Sequence, residues 1–148
     1  MWTRRHGADL TACLRSAISP PATGRSNRIA SNAEIVERYF DAWTSKDFDT
    51  ARSLLHDNLD FTGPLETVAD ADALLRSLQG LAQIVTGADR RGVLASGDEV
   101  AVIYDLHTVP VETARIAEWY TVRDGRIASI QAFFDARPFA AMFEQPPA

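Results

Sequence analysis

Cysteine is nearly absent from the 148 residues: Cys13 stands alone, so no intramolecular disulfide forms and no cysteine cluster offers a zinc site. Lysine is as scarce, with Lys46 the sole example among 15 basic residues. No stretch reaches the roughly 18 consecutive apolar residues that a spanning helix needs, which excludes a helical integral membrane protein. The chain is not short of apolar residues, however. At 46% hydrophobic it can bury the core of one ordinary domain.

Charge is divided unequally along the chain. Residues 1–30 hold five arginines (Arg4, Arg5, Arg15, Arg25, Arg28) and one acid, Asp9, a net +4; a total of −5 therefore leaves −9 on residues 31–148. So acidic a domain repels phosphate backbones, and nucleic acid is not an expected partner. Residues 1–30 are rich in Arg, Ser and Ala and are broken by Ser19-Pro20-Pro21. They read as a disordered tail, with an upstream start or a transit peptide as the alternatives. A cytoplasmic location without membrane association is the expectation.

The folded domain is expected over residues 31–145. Ser31-Asn32-Ala33-Glu34 forms a capping box, and Ile35, Val36, Tyr39, Phe40 and Trp43 recur at helical spacing, which predicts an amphipathic helix ending near 44–46. Asp47 caps a second helix over 48–55, and His56-Asp57-Asn58 reads as the turn after it. A strand over 59–62 stops at Gly63-Pro64. Asp70 then caps a third helix running through Leu74, Leu75, Leu78, Leu81 and Ile84, closed by Gly87. From there the pattern has period two: strands over 90–96, 99–109, 114–123 and 126–135, with Gly97-Asp98 and Asp124-Gly125 as hairpin turns. A last helical turn is expected at 138–143. Helices followed by a strand meander imply an α+β fold, with helices packed on one face of a curved antiparallel sheet.

The phrases AEIVERYFDAWTSKDFDTARSLLHDNLDFTGP and WYTVRDGRIASIQAFFDARPF, with the helix-then-strand order between them, resemble the SnoaL-like domains of the nuclear transport factor 2-like superfamily. The resemblance covers residues 33–143. It implies a cone in which the sheet wraps around the long first helix, an apolar pocket at the wide end, and an outer sheet face that pairs with a second subunit as a homodimer. The fold hosts isomerases, polyketide cyclases, epoxide hydrolases and proteins that only bind.

Set against the ketosteroid isomerases, Tyr39 is similar to the tyrosine that donates to the developing enolate. Gly63 stands where their general-base aspartate lies, and Ala117 where their second oxyanion donor lies. Set against the limonene epoxide hydrolases, Asp105 and Asp135 are similar in spacing to the paired carboxylates, but Ile103 replaces the arginine between them. Asp135 also has a capping explanation, since it precedes Ala136-Arg137-Pro138. SnoaL-type cyclases place Asp and His side chains in the pocket, and Asp105 and His107 lie two apart on one strand, hence on one face.

Two readings of that pair stay open. In the first, Asp105 orients His107 as an acid/base unit, with Tyr39 as oxyanion donor and a cofactor-independent isomerase, cyclase or hydrolase chemistry on an apolar carbonyl compound. In the second, Val100, Val102, Tyr104 and Leu106 face the core, Asp105 and His107 face solvent or a dimer partner, and the domain binds a hydrophobic small molecule or merely dimerises. In either case Trp43, Phe61, Trp119 and Phe134, with Asp135, are expected to line the ligand pocket. Neither a metal nor a cofactor is expected.

Overall fold

The computed structural model describes residues 30–143. The tail expected over 1–30 lies outside the described residues apart from Ala30, as do the residues after Phe143. The elements, in chain order, are α1 (Asn32–Thr44), α2 (Phe48–Ser53), β1 (Leu55–Thr62), β2 (Thr67–Val68), α3 (Ala71–Ala82), β3 (Val85–Ser96), β4 (Glu99–Thr108), β5 (Ala114–Arg123), β6 (Arg126–Phe133), a 3₁₀ turn (Arg137–Phe139) and α4 (Ala140–Phe143).

Local chemistry accounts for where the helices begin. Ser31 accepts from the Glu34 N–H, and Glu34 accepts from the Ser31 N–H, which completes the capping box. Asp47 and Asp70 each accept the backbone N–H three residues on, capping α2 and α3. Both hairpin turns carry the left-handed backbone that a two-residue primed turn demands, at Gly97 (φ 59°) and at Asp124 and Gly125 (φ 51° and 75°).

The sheet has six strands in the order β2-β1-β6-β5-β4-β3. Every pairing is antiparallel except β1 with β6, which is parallel. The sheet is curved and unclosed, and its concave face holds α1. Val100, Val102, Tyr104 and Leu106 of β4, Ile116, Tyr120 and Val122 of β5, and Ile127 and Ile130 of β6 pack there against Ile35, Val36, Tyr39, Phe40 and Trp43 of α1. Two polar contacts fasten the helix to the β3–β4 side. Asn32 donates to the Gly97 carbonyl at 2.9 Å; Arg90 pairs with Asp41 at 3.0 Å and lies over the Phe40 ring.

Three expectations are corrected. Residues 56–58 belong to β1 and form no turn. Between the pairs Leu55↔Ile127 and Asp60↔Ser129 the register advances five residues on β1 and two on β6, so the turn-forming residues are absorbed in a bulge. Gly87 does not close α3. The helix ends at Ala82, and Gly87 lies inside β3 opposite His107. The last strand stops at Phe133, short of Asp135.

Candidate functional site

A cavity of about 440 Å³ opens between α1, α3 and the concave face of the sheet. α1 contributes Tyr39 and Trp43, α3 contributes Leu74 and Leu78, and Phe61, Phe134 and Phe139 close the sides, the last two meeting edge to face at 5.7 Å. This is the volume and the largely apolar wall of a small-molecule site.

Its polar groups are few and convergent. β5 alternates inward and outward, and its inward row reads Ala114, Ile116, Glu118, Tyr120, Val122. A carboxyl therefore points into the core side of the sheet, and Glu118 lines the cavity together with Tyr39 and Tyr104. The Tyr120 hydroxyl donates to Glu118 Oε2, and Tyr104 adds a second stabilising hydroxyl. Tyr39 stacks edge to face on Tyr120 with ring centroids 6.0 Å apart.

Burial pushes the Glu118 carboxyl above its ordinary value; the hydroxyls of Tyr120 and Tyr104 pull the other way and are outweighed. The accessible surface that Glu118 keeps borders the cavity, not the outside of the sheet. Burial, reinforced by the neighbouring Glu118, raises Tyr39, Tyr104 and Tyr120 well above the usual phenol range, so all three remain hydrogen-bond donors. The described residues lining the cavity include two carboxyls, Glu118 and Glu66, and no Lys, Arg or His.

The residues expected to form the site divide between two faces. Tyr39, Trp43, Phe61 and Phe134 do line the cavity. Trp119 does not: it lies in the outward row of β5 and is 42% exposed on the convex face, near the exposed Phe133 and Leu94. Asp135 is exposed beyond the end of β6, where it accepts from the Arg137 N–H at 3.1 Å and pairs with the Arg137 guanidinium, which holds it down at about 2.

Asp105 and His107 share a face, as their spacing requires, but it is the convex one, because Tyr104 and Leu106 take the inward positions. The two side chains do not hydrogen-bond each other. Asp105 is only 2% exposed, and what covers it is two guanidinium groups, Arg115 across β5 and Arg91 on β3, each at 2.7 Å. They hold its carboxyl far below the usual carboxylate range. His107 binds Asp89 through Nε2 at 2.8 Å, while Nδ1 meets the Glu112 carbonyl and the Thr113 hydroxyl. Asp89 raises its basicity most, followed by the Glu112 carbonyl. The sequence pairing of Asp105 with His107 is therefore replaced by three cross-strand ion pairs outside the cavity, Arg91–Asp105, Arg115–Asp105 and His107–Asp89.

Glu118 escaped sequence reasoning, which had aligned the neighbouring Ala117 with an oxyanion donor. Ala117 lies in the outward row. The signal that finds Glu118 is an acid in phase with Ile116, Tyr120 and Val122.

The SnoaL-like domain family matches residues 36–130. Among solved structures, a protein of Kribbella flavida DSM 17836 is 32% identical over 75% of this chain and 93% of its own, with a TM-score of 0.71. An NTF2-like protein of unknown function from Cytophaga hutchinsonii is 21% identical over 81% of this chain and 100% of its own, at 0.68. An LEH-like epoxide hydrolase of M. tuberculosis is 21% identical over 76% of this chain and 94% of its own, at 0.62. No curated protein matches.

Proposed function

The chain belongs to the SnoaL-like domain family, and on that footing we propose that it binds a neutral, ring-bearing carbonyl compound in the cavity and acts on it by acid/base chemistry without a cofactor. The observation that carries this reading is the Glu118 carboxyl, set among the hydroxyls of Tyr39, Tyr104 and Tyr120 in an otherwise apolar cavity. Burial raises the Glu118 carboxyl above its ordinary value and so favours its protonated form, and in that form it is a donor. With Tyr120 on Oε2, its proton is available to a ligand oxygen. Such a donor placed against a carbonyl polarises it and favours the enol; one such group is worth roughly 10²–10³ in rate where an oxyanion develops. The absence of basic residues from the described lining disfavours anionic ligands, whose charge would enter an apolar site without a partner.

Binding of 2-naphthol, a neutral planar enol, followed by quenching of its own or of Trp43 fluorescence, tests this reading. The expected result is saturable binding that Glu118→Leu weakens at least about tenfold, the scale of one lost hydrogen bond in a buried site. The anion 2-naphthoate should bind at least tenfold more weakly, by roughly the same argument. Asp105→Asn and His107→Ala, on the convex face, should change affinity less than about twofold, the behaviour of sites that share no partners. Failure of 2-naphthol to bind, or equal binding by Glu118→Leu, would sink the proposal.

The convex face is the surface we assign to a homodimer, because Leu94, Trp119 and Phe133 leave large apolar side chains exposed there around the Arg91–Asp105–Arg115 cluster. Sedimentation equilibrium at micromolar concentration should give twice the chain mass, reduced to the chain mass by Trp119→Lys with Phe133→Lys. A wild-type monomer rejects the assignment.

A further inference from the structure

Acid/base chemistry on a carbonyl compound requires a second group, one that removes a proton from carbon. Glu118 cannot serve as both acid and base in one step, and the raised tyrosine hydroxyls are donors. One further titratable side chain lines the described cavity, Glu66, and its environment is the opposite of that of Glu118. It is exposed.

The fold holds this carboxylate in place. Gly63-Pro64-Leu65-Glu66 connects β1 to β2, and the Gly63 N–H donates to the Glu66 carbonyl at 2.9 Å, closing the turn across the pair Thr62↔Thr67. A side chain at position 63 itself would be crowded: a Cβ there would lie 3.2 Å from two carbons of the Phe61 ring, which forms part of the cavity wall and would have to give by a few tenths of an ångström. Three residues later the chain returns to the cavity, and the Ser77 hydroxyl on α3 donates to Glu66 Oε2 at 2.8 Å. Ser77 lines the cavity as well. One carboxylate oxygen is therefore fixed by α3, which leaves the other as the proton acceptor.

We propose that Glu66 is the catalytic base of this pocket and that Ser77 is its positioning residue. The assignment rests on the pocket reading above. In the step, Glu66 takes the proton from the carbon next to the carbonyl; the C–H electron pair becomes the new C=C bond, and the carbonyl π pair moves to oxygen, where Glu118 and Tyr39 donate to it. Returning the proton to carbon restores Glu66. Because Glu66 is exposed, its proton exchanges with solvent between the two halves, so the enzyme is expected to wash solvent hydrogen into its substrate.

The test uses 2-tetralone, an apolar bicyclic ketone whose enol resembles 2-naphthol, in deuterium oxide, with loss of its C1 protons followed by NMR. The full-length protein should accelerate exchange, and Glu66→Gln should cut that acceleration at least about 100-fold, the contribution of a positioned general base. Its thermal unfolding should match that of the wild type, which shows an intact fold, since Gln keeps the size of an exposed Glu. Glu66→Asp should recover part of the rate. Ser77→Ala should lower the rate while leaving 2-naphthol affinity unchanged, and Ser77→Thr, which keeps the hydroxyl, should restore part of it, a pattern that a purely structural role for Ser77 does not produce. Wild-type rates in Glu66→Gln overturn the assignment. Binding of 2-naphthol without any acceleration of exchange also overturns it and leaves only the ligand-binding half of the pocket reading standing, whereas failure of 2-naphthol to bind rejects that reading and this inference together.

Discussion

Trp43→Ala lowers the unfolding free energy by about 3–5 kcal/mol, the usual cost of truncating a buried aromatic. Trp43 is 2% exposed and meets Phe40 and Tyr104 edge to face, with centroids 5.9 Å and 6.4 Å away. Its loss removes both contacts at once. The site cannot close over the gap, because the indole already borders the cavity and the new void joins it. Against a typical total of about 5–15 kcal/mol, this is a large fraction of the domain's stability. Urea denaturation checks it through the midpoint at unchanged slope. A loss under about 1 kcal/mol, the range of tolerated surface changes, contradicts the packing described for α1.

Glu118→Gln should remove a pH dependence that the wild-type domain carries. The folded Glu118 holds its proton to higher pH than the unfolded chain does, since burial raises it from an ordinary value of 4.5. Its contribution is fully present below the unfolded value and is lost as pH rises through the folded one, because the native state must either keep a proton that the unfolded state has released or bury a charge. Between the two values the slope approaches roughly 1.4 kcal/mol of stability lost per pH unit. Glutamine carries no titratable proton, so the difference between the two proteins should grow from pH 4.5 upward. Equal pH profiles contradict a buried acid. Asp105 contributes a slope of the other sign, confined to much lower pH, because its two arginines depress it; the two effects are separable by pH alone.

Much of the fold was legible because its punctuation is local. Ser31 with Glu34, Asp47, Asp70 and the Gly97 and Asp124-Gly125 turns each act within a few residues, and each stands where expected. The misread segment, residues 56–58, looks like a turn locally and is carried into β1 only because the residues flanking it, Leu55 and Asp60, pair in parallel with β6, some seventy residues away. Hydrogen-bond partners that distant leave no local mark on residue choice.

The site divides the same way. The aromatic stripe of α1 placed Tyr39 and Trp43 inside, as 3.6-residue spacing implies. On the strands a slip of one residue exchanges the two faces, and that is the whole distance between Ala117 and Glu118. For Asp105 and His107 the spacing established a common face, while the choice of face was decided by Val100, Val102, Tyr104 and Leu106. Their true partners, Arg91, Arg115 and Asp89, sit on neighbouring strands and depend on a register set by the whole sheet.

The central claim is that Glu118 is a carboxyl facing the ligand cavity whose burial makes it hold its proton to higher pH than an ordinary glutamate. The direct measurement is the carbon-13 NMR titration of its side-chain carboxyl, assigned against Glu118→Gln and repeated with 2-naphthol bound. The account predicts a midpoint above the ordinary carboxylate range and a resonance that moves when 2-naphthol binds. A midpoint at or below the ordinary value of 4.5, with no response to the ligand, would contradict it.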